Sequence, residues 1–135
     1  MWLLAALLCI GIATTQSFTS IKRVASKSII SMSTPGTYHL HVKLVPNPKR
    51  RDEFIECIRN NQRNTLMKEK EPGCMLYKWG ECTTESGVFY FTEQYVDEEA
   101  FKHHTKQDHF AEWEKYASSE NAFVSDPVVR FWVEM

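Results

Sequence analysis

The order of the strand-like and helix-like segments is the feature that most limits the fold of this chain. Apolar and polar residues alternate over residues 39–45, which predicts a half-buried strand, and Pro46-Asn47-Pro48 ends it. The later segments are a helix over residues 49 to about 70, strands over 74–79 and 88–96, a helix over 97 to about 118 and a strand over 128–133. The order β-α-β-β-α-β predicts an α+β, ferredoxin-like fold, in which a four-stranded antiparallel sheet carries two helices on one face.

Both faces of the predicted sheet carry apolar side chains. In the third strand, Phe89 and Phe91 alternate with Val88 and Tyr90. Two helices can cover only one face, and leaving the other in water forgoes roughly 25 cal/mol per Å² of apolar surface. Because large exposed apolar patches usually mark interfaces, the pattern predicts a homodimer whose sheets pack face to face.

Residues 1–36 differ from the rest of the chain and predict a cleaved targeting segment, followed by a single domain over residues 37–135. Positions 2–12 are apolar apart from small residues, over a length that suits a signal-peptide core and is too short to span a bilayer. Positions 18–36 are rich in Ser and Thr, with three basic residues and no acid, as in transit peptides. The combination predicts a plastid destination through a bipartite presequence; the alternative is a secretory signal with a basic linker, for a secreted or endomembrane protein. Met32 offers a second start of translation, which would remove most of this segment.

Charge and cysteine content exclude several classes of function for the remaining domain. Of the 16 basic and 17 acidic residues, 13 basic and all 17 acidic residues follow position 36, for a net charge of about −4. A mildly acidic domain without a basic stripe is not expected to bind nucleic acid, and nothing in it predicts a membrane-bound mature form. Cys57, Cys74 and Cys82 lack the C-x-x-C spacing of a zinc site, so reduced thiols are expected.

Titratable side chains are concentrated between positions 93 and 113, where a predicted strand leads into a predicted helix. His104 lies one turn into that helix and could reach Glu93, which would fix its tautomer and make it a base or a hydrogen-bond donor; the alternative is a packing histidine. Glu93 could instead form a salt bridge with a lysine. His103 is expected at the surface. His109 lies about 140° further round an ideal helix than His104, so it could lie at the rim of a pocket or pack structurally.

Aromatic and amide side chains are candidates for the walls of such a pocket. Tyr77, Tyr95 and Trp113 could stack on a flat substrate or supply a phenolic proton, although aromatic residues in strands are more often part of the core. Gln62 and Thr65 are polar where the first helix should close on the sheet, so they could line a cavity or face water. The pair His39-x-His41 would suit a metal ion, but no third ligand accompanies it at a telling spacing, so no metal site is expected.

An ordered set of short motifs carries a resemblance to a known family. These motifs are Asp52-Glu53-Phe54-Ile55-Glu56, Glu71-Pro72-Gly73-Cys74, Phe91-x-Glu93-x-Tyr95, Ala100-Phe101, and His104 followed by His109-Phe110. In this order they resemble the antibiotic biosynthesis monooxygenase (ABM) domain family over about residues 38–135, and among its members they look closest to quinol monooxygenases and to an autoinducer-processing isomerase.

The resemblance implies a dimeric α+β barrel and a small-molecule substrate. It implies a cofactor-independent monooxygenase that acts on a quinol-like or enolisable compound, with O2 as co-substrate. The alternatives are an isomerase of a small oxygenated metabolite and a non-catalytic dimer that binds a small molecule or haem. It also implies site roles: His104 is the leading acid or base, Glu93 its orienting carboxylate, and the other candidates line the pocket (Tyr77, Tyr95, Trp113, His109, Gln62 and Thr65).

Overall fold

The computed structural model describes residues 36–135, which form four strands and three α-helices. In chain order these are β1 (Tyr38–Leu44), α1 (Arg51–Thr65), β2 (Cys74–Glu81), β3 (Phe89–Tyr95), α2 (Glu98–His104), α3 (Asp108–Ala117) and β4 (Val128–Val133), with a turn of 3-10 helix over Pro48–Arg50 before α1. The predicted targeting segment lies outside the described residues except for position 36, so its cleavage and its destination stay predictions.

The four strands form one antiparallel sheet in the order β2-β3-β1-β4. β1 is central, and its Leu40 lies opposite Glu93 of β3 on one side and Phe131 of β4 on the other. Alternation along β1 places Leu40 and Leu44 on the helix-covered face, where both are buried. The predicted ferredoxin-like arrangement is therefore confirmed, with each predicted strand present.

The first helix is shorter than the sequence predicts. It ends at Thr65, and a series of turns follows. In these turns Met67 N donates to Asn64 O, and Glu71 N donates to Met67 O. Glu71 precedes a proline, a position that disfavours helical backbone. These turns carry residues 66–71 back across the end of α1, and Glu71 reaches the interior of the domain.

The prediction of one continuous second helix is wrong. α2 begins after Asp97, whose side chain caps Ala100 N at 2.8 Å, and ends at His104. Lys106 N then donates to His103 O and Gln107 N to His104 O, bonds that span three residues and tighten the chain. Gln107 starts α3 in an extended conformation, so the axis changes direction between the two histidines.

The core lies between the helices and one face of the sheet. Phe54 of α1 is completely buried and packs edge-on against Phe89 at a centroid distance of 5.0 Å, with Trp113 and Tyr116 of α3 on its other sides. Gly73 allows the chain before β2 to pass against α2, because a Cβ atom there would collide with the Cβ of Ala100. This close approach sets the turn that contains Glu71 beneath α2.

Candidate active site

A cavity of about 70 Å³ lies between the sheet and the helices, and its walls are mostly apolar. The apolar lining comes from all three helices, three of the strands and the loop before β4: Leu40, Val42, Leu44, Ile58, Phe91, Phe101, Phe110, Trp113, Pro127, Val129 and Phe131. Four polar side chains interrupt this wall, namely Asn61, Tyr77, Glu93 and His104. An apolar cavity with a few converging polar groups is the usual form of a small-molecule site.

His104 presents one ring nitrogen to this cavity and uses the other for a hydrogen bond. The residue is 1% exposed, and its Nδ1 lies 2.8 and 3.0 Å from the two carboxylate oxygens of Glu71. An ionised carboxylate can only accept, so Nδ1 carries the proton. Nε2 has no hydrogen-bond partner among residues 36–135, and it is not fully enclosed by other atoms. The ring itself lines the cavity. We therefore place an acceptor nitrogen at the cavity wall.

Glu71 holds a second imidazole as well. Its carboxylate is 1% exposed, and Nε2 of His109 contacts the same oxygen, Oε1, that accepts from His104. The break between α2 and α3 makes this possible, because a straight helix would separate the two rings by about 140°. His109 is buried behind Glu71 and does not line the cavity.

Glu93 is not the hydrogen-bond partner of His104 that the sequence predicts. It lines the cavity, but its Oε2 accepts a 2.6 Å bond from the hydroxyl of Tyr95. Burial raises the pKa of Glu93, and two effects oppose that rise: the positive charge of His104 when its ring is protonated, and the bond from Tyr95. No lysine of the described residues pairs with it. Glu93 is thus a buried carboxyl group beside the cavity, with a pKa above its ordinary value.

Tyr77 and Asn61 form a polar pair on the same wall. Asn61 Nδ2 donates to the Tyr77 hydroxyl at 3.1 Å, and Asn61 Oδ1 is buried without a hydrogen-bond partner in the described part of the chain. Exchanging the amide oxygen and nitrogen would leave the donor end unpaired instead. Burial raises the pKa of Tyr77 well above its ordinary value, so the phenol keeps its proton. An unpaired amide end beside a protonated phenol can bind an oxygen of a ligand.

Four of the predicted lining residues support the site from outside the cavity. Tyr95 and His109 hold the carboxyl groups described above. Gln62 joins α1 to β2, since its Nε2 donates to Tyr77 O at 2.9 Å and its Oε1 accepts from Trp79 Nε1 at 3.0 Å. Thr65 donates to Asn61 O at 2.7 Å, and its hydroxyl lies 3.4 Å from Nδ1 of His104. Tyr77 and Trp113 do line the cavity.

Sequence reasoning missed Glu71 and Asn61. Glu71 belongs to Glu71-Pro72-Gly73, which predicts the end of a helix and gives no sign that the acid points inward. Asn61 lies one position from Gln62 on a helix, where the choice of inward face depends on how α1 is rotated against the sheet.

The comparisons with known proteins agree with the fold. The sequence model of the antibiotic biosynthesis monooxygenase family matches residues 37–116. A Caulobacter crescentus crystal structure named for that family is 25% identical, with a TM-score of 0.64 over 76% of this chain and 92% of its own. A conserved Methanosarcina mazei protein is 20% identical, with a TM-score of 0.65 over 76% of this chain and 96% of its own. A Mycobacterium tuberculosis protein is 17% identical, with a TM-score of 0.63 over 73% of this chain and 95% of its own. Both are similar to this chain in fold. No curated protein matches the chain significantly.

Within residues 36–135, no helix has both the length and the apolar character needed to cross a bilayer.

Proposed function

The chain belongs to the antibiotic biosynthesis monooxygenase family, and from this premise we propose that it is a cofactor-independent monooxygenase of a small quinol-like or enolisable substrate. One observation carries the proposal: a buried imidazole presents an acceptor nitrogen to an apolar cavity while a buried carboxylate, Glu71, fixes its tautomer. This arrangement makes His104 a general base, because the carboxylate also stabilises the imidazolium ion that forms when the base takes a proton.

The base starts the reaction by removing the hydroxyl proton of the substrate. The resulting anion is electron-rich and transfers one electron to O2, and the radical pair then combines to form a carbon-bound peroxide. The O–O bond breaks next: one oxygen stays on the carbon as a carbonyl group, and the other leaves as water with the proton from the carbon and the proton held by His104. A hydroxyl-bearing C–H substrate and O2 thus become a quinone-like product and water.

The other polar groups of the cavity suit the charges that this sequence creates. The Tyr77 hydroxyl accepts from Asn61 Nδ2, so its own proton is free to be donated to the substrate oxygen on which negative charge develops. Glu93 lies at the cavity wall and can carry the proton from the carbon to the leaving oxygen, so that the water takes up only that proton and the one held by His104. The apolar wall excludes water, which strengthens these interactions.

The cavity volume supports a small substrate. About 70 Å³ is below the roughly 300–1,000 Å³ of pockets that enclose drug-sized ligands. A single small ring would be accommodated more easily than a haem, for which the core would have to open.

An isomerase is the second candidate, and a specific observation favours it. His104 and Glu93 both line the cavity, so one could remove a proton from carbon and the other could return it at a neighbouring carbon. This reaction uses the same base and needs no O2.

We also propose that the protein is a homodimer joined through the outer face of the sheet. Tyr90 and Trp132 lie on this face and are 45% and 44% exposed, and Val128 beside them is 40% exposed. Sedimentation should give twice the chain mass at micromolar concentration, and a species of single-chain mass would contradict the dimer.

Oxygen uptake with a panel of small quinols and no added cofactor tests the oxygenase proposal. We expect His104→Gln to lower turnover by about 10²–10⁴-fold, which is the usual contribution of a general base. The matched control is His103→Gln, because His103 is adjacent and exposed and should leave turnover unchanged. Equal rates for His104→Gln and wild type would contradict the base assignment. Substrate loss without O2 uptake would select the isomerase, and binding without turnover would select the non-catalytic binder.

A further inference from the structure

Glu71, His104 and His109 come from three separate parts of the fold and meet in its interior. Glu71 lies in the turn before β2, His104 ends α2, and His109 lies in the first turn of α3. One ligand atom from each residue lies within 4.8 Å of the other two. In the order just given, the three residues are 1%, 1% and 6% exposed.

We propose that these three residues form a binding site for a divalent transition-metal ion, with Zn²⁺ as the best match. Two imidazole nitrogens and one carboxylate oxygen are a donor set that zinc accepts. Zinc bonds of about 2.0–2.2 Å in a tetrahedral arrangement keep ligand atoms roughly 3.3–3.6 Å apart, so small movements of these side chains would admit the ion. The sequence did not predict this site, because the contacts within it join residues 33 and 38 positions apart.

The charge of the cluster favours a cation. Glu71 is a buried carboxylate, and its ion-pair partners within residues 36–135 are His104 and His109; neither lysine nor arginine pairs with it. A buried carboxylate requires a compensating positive charge or strong hydrogen bonds. A metal ion at the centre of the cluster would supply that charge and would replace both hydrogen bonds with coordinate bonds.

The ligands are held in place before any ion arrives. The His104 ring packs edge-on against Phe110 at 5.0 Å and lies 5.7 Å from the ring of Tyr95. The backbone of Glu71 is fixed by its bond to Met67 O. Thr65 adds a hydroxyl oxygen 3.4 Å from Nδ1 of His104, which could bind the ion or a water on it. Such outer support usually accompanies metal-binding histidines.

Metal binding would regulate the proposed base, and this consequence rests on the proposed function. A neutral imidazole bound to metal through Nδ1 carries its proton on Nε2. The nitrogen that lines the cavity would then donate a hydrogen bond and could not accept a proton. We therefore expect Zn²⁺ to inhibit turnover and a chelator to restore it.

Titration of the full-length protein with Co²⁺ tests the site without any substrate. We expect one Co²⁺ per chain, with visible absorption typical of nitrogen and oxygen ligands, and displacement by Zn²⁺. His109→Gln should weaken binding by more than about 100-fold, because losing even an outer partner of a ligand costs about 10–100-fold. Glu71→Gln should do the same, and His103→Gln, with its exposed ring, should bind like wild type.

Two spectroscopic results would overturn the site: absence of the absorption bands in wild type, or bands of equal strength in His109→Gln. Bands of equal strength in His109→Gln would place the ion at other residues. This comparison can still be made if Glu71→Gln does not fold. The activity arm is separate: if Co²⁺ and Zn²⁺ bind as expected but O2 uptake is unaffected, the regulatory consequence fails and the metal site stands. If the protein shows no oxygenase activity but still binds Co²⁺ as described, only the proposed function is contradicted.

Discussion

Replacing Glu71 by glutamine tests whether one buried carboxylate holds both imidazoles. In the wild type, His104 and His109 both bond to this carboxylate, and both rings are buried. Glutamine keeps the size and shape of the side chain but has one acceptor oxygen and a terminal NH2 group. Both rings bond to Oε1, so an amide oxygen in that place can still accept from both, while the NH2 group takes the place of Oε2, which lies 3.0 Å from Nδ1 of His104.

The magnitude follows from the loss of one acceptor. The buried N–H of His104 then faces an amide donor where the wild type has the acceptor Oε2, and such a donor conflict costs about 1–3 kcal/mol of unfolding free energy. For a domain of roughly 100 residues, each kcal/mol corresponds to a fall of about 4–8 °C in Tm. Because the two rings share the carboxylate, the effects of Glu71→Gln and His109→Gln should not add, and a coupling energy of about 0.5–3 kcal/mol is expected.

Urea unfolding of the full chain, followed by tryptophan fluorescence, measures these free energies. The matched control is Glu69→Gln, because Glu69 is an exposed acid two positions away and should change stability by less than about 0.5 kcal/mol. If Glu71→Gln is no less stable than this control, the carboxylate does not organise the cluster. Strict additivity with His109→Gln would likewise show that the two rings do not share it.

Three further predictions concern the core, a cavity carboxyl group and the thiols. Phe54→Ala should lower the unfolding free energy by about 3–5 kcal/mol, because the ring is completely buried. Burial raises the folded-state pKa of Glu93, so the unfolding free energy should fall as pH rises from the ordinary carboxyl range through the raised value, and Glu93→Gln should remove that fall. Iodoacetamide should modify Cys82 before Cys57 or Cys74, because hydrogen bonds with Thr84 lower the pKa of Cys82, whereas burial raises the other two to about 11 and about 12.

Each of these has its own control. Val124→Ala, at a side chain 66% exposed, should leave stability nearly unchanged, and an equally small effect of Phe54→Ala would contradict the packing argument. The control for Glu93→Gln is Glu120→Gln, because Glu120 is an exposed acid. If the unfolding free energy of Glu93→Gln depends on pH as it does in the wild type, the assigned role of Glu93 is contradicted. Peptide mass spectrometry locates the modified thiols. Since a thiol of pKa about 11 is only about 0.1% ionised at pH 8, early modification of Cys57 would show that the protein opens locally.

The fold could be predicted because its signals are local. Alternation marks β1, Pro46-Asn47-Pro48 ends it, and the apolar run at the end of the chain coincides with β4 (Val128–Val133). The element order then leaves few arrangements of the sheet. The break at positions 105–107 could not be predicted, because Thr, Lys and Gln carry no helix-ending signal as strong as Gly or Pro. Tertiary contacts decide it.

The candidate site was predicted only in part, for a related reason. The sequence places His104 and Glu93 near the same end of the sheet, and both line the cavity. The partner of His104 depends on where a turn 33 positions earlier comes to rest. That position follows from the early end of α1 and from the close passage of Gly73 beside Ala100, neither of which leaves a periodic pattern in the sequence.

The central position of β1 has a consequence for how the protein is made. The cavity wall contains Leu40 from the first described strand and Phe131 from the last, which lie side by side in the sheet. On the ribosome, β1 emerges long before β4 and has one unpaired edge until β4 is synthesised. The cavity is therefore complete only after β4 has left the exit tunnel, and a nascent chain stalled before β4 would expose an edge strand to its neighbours.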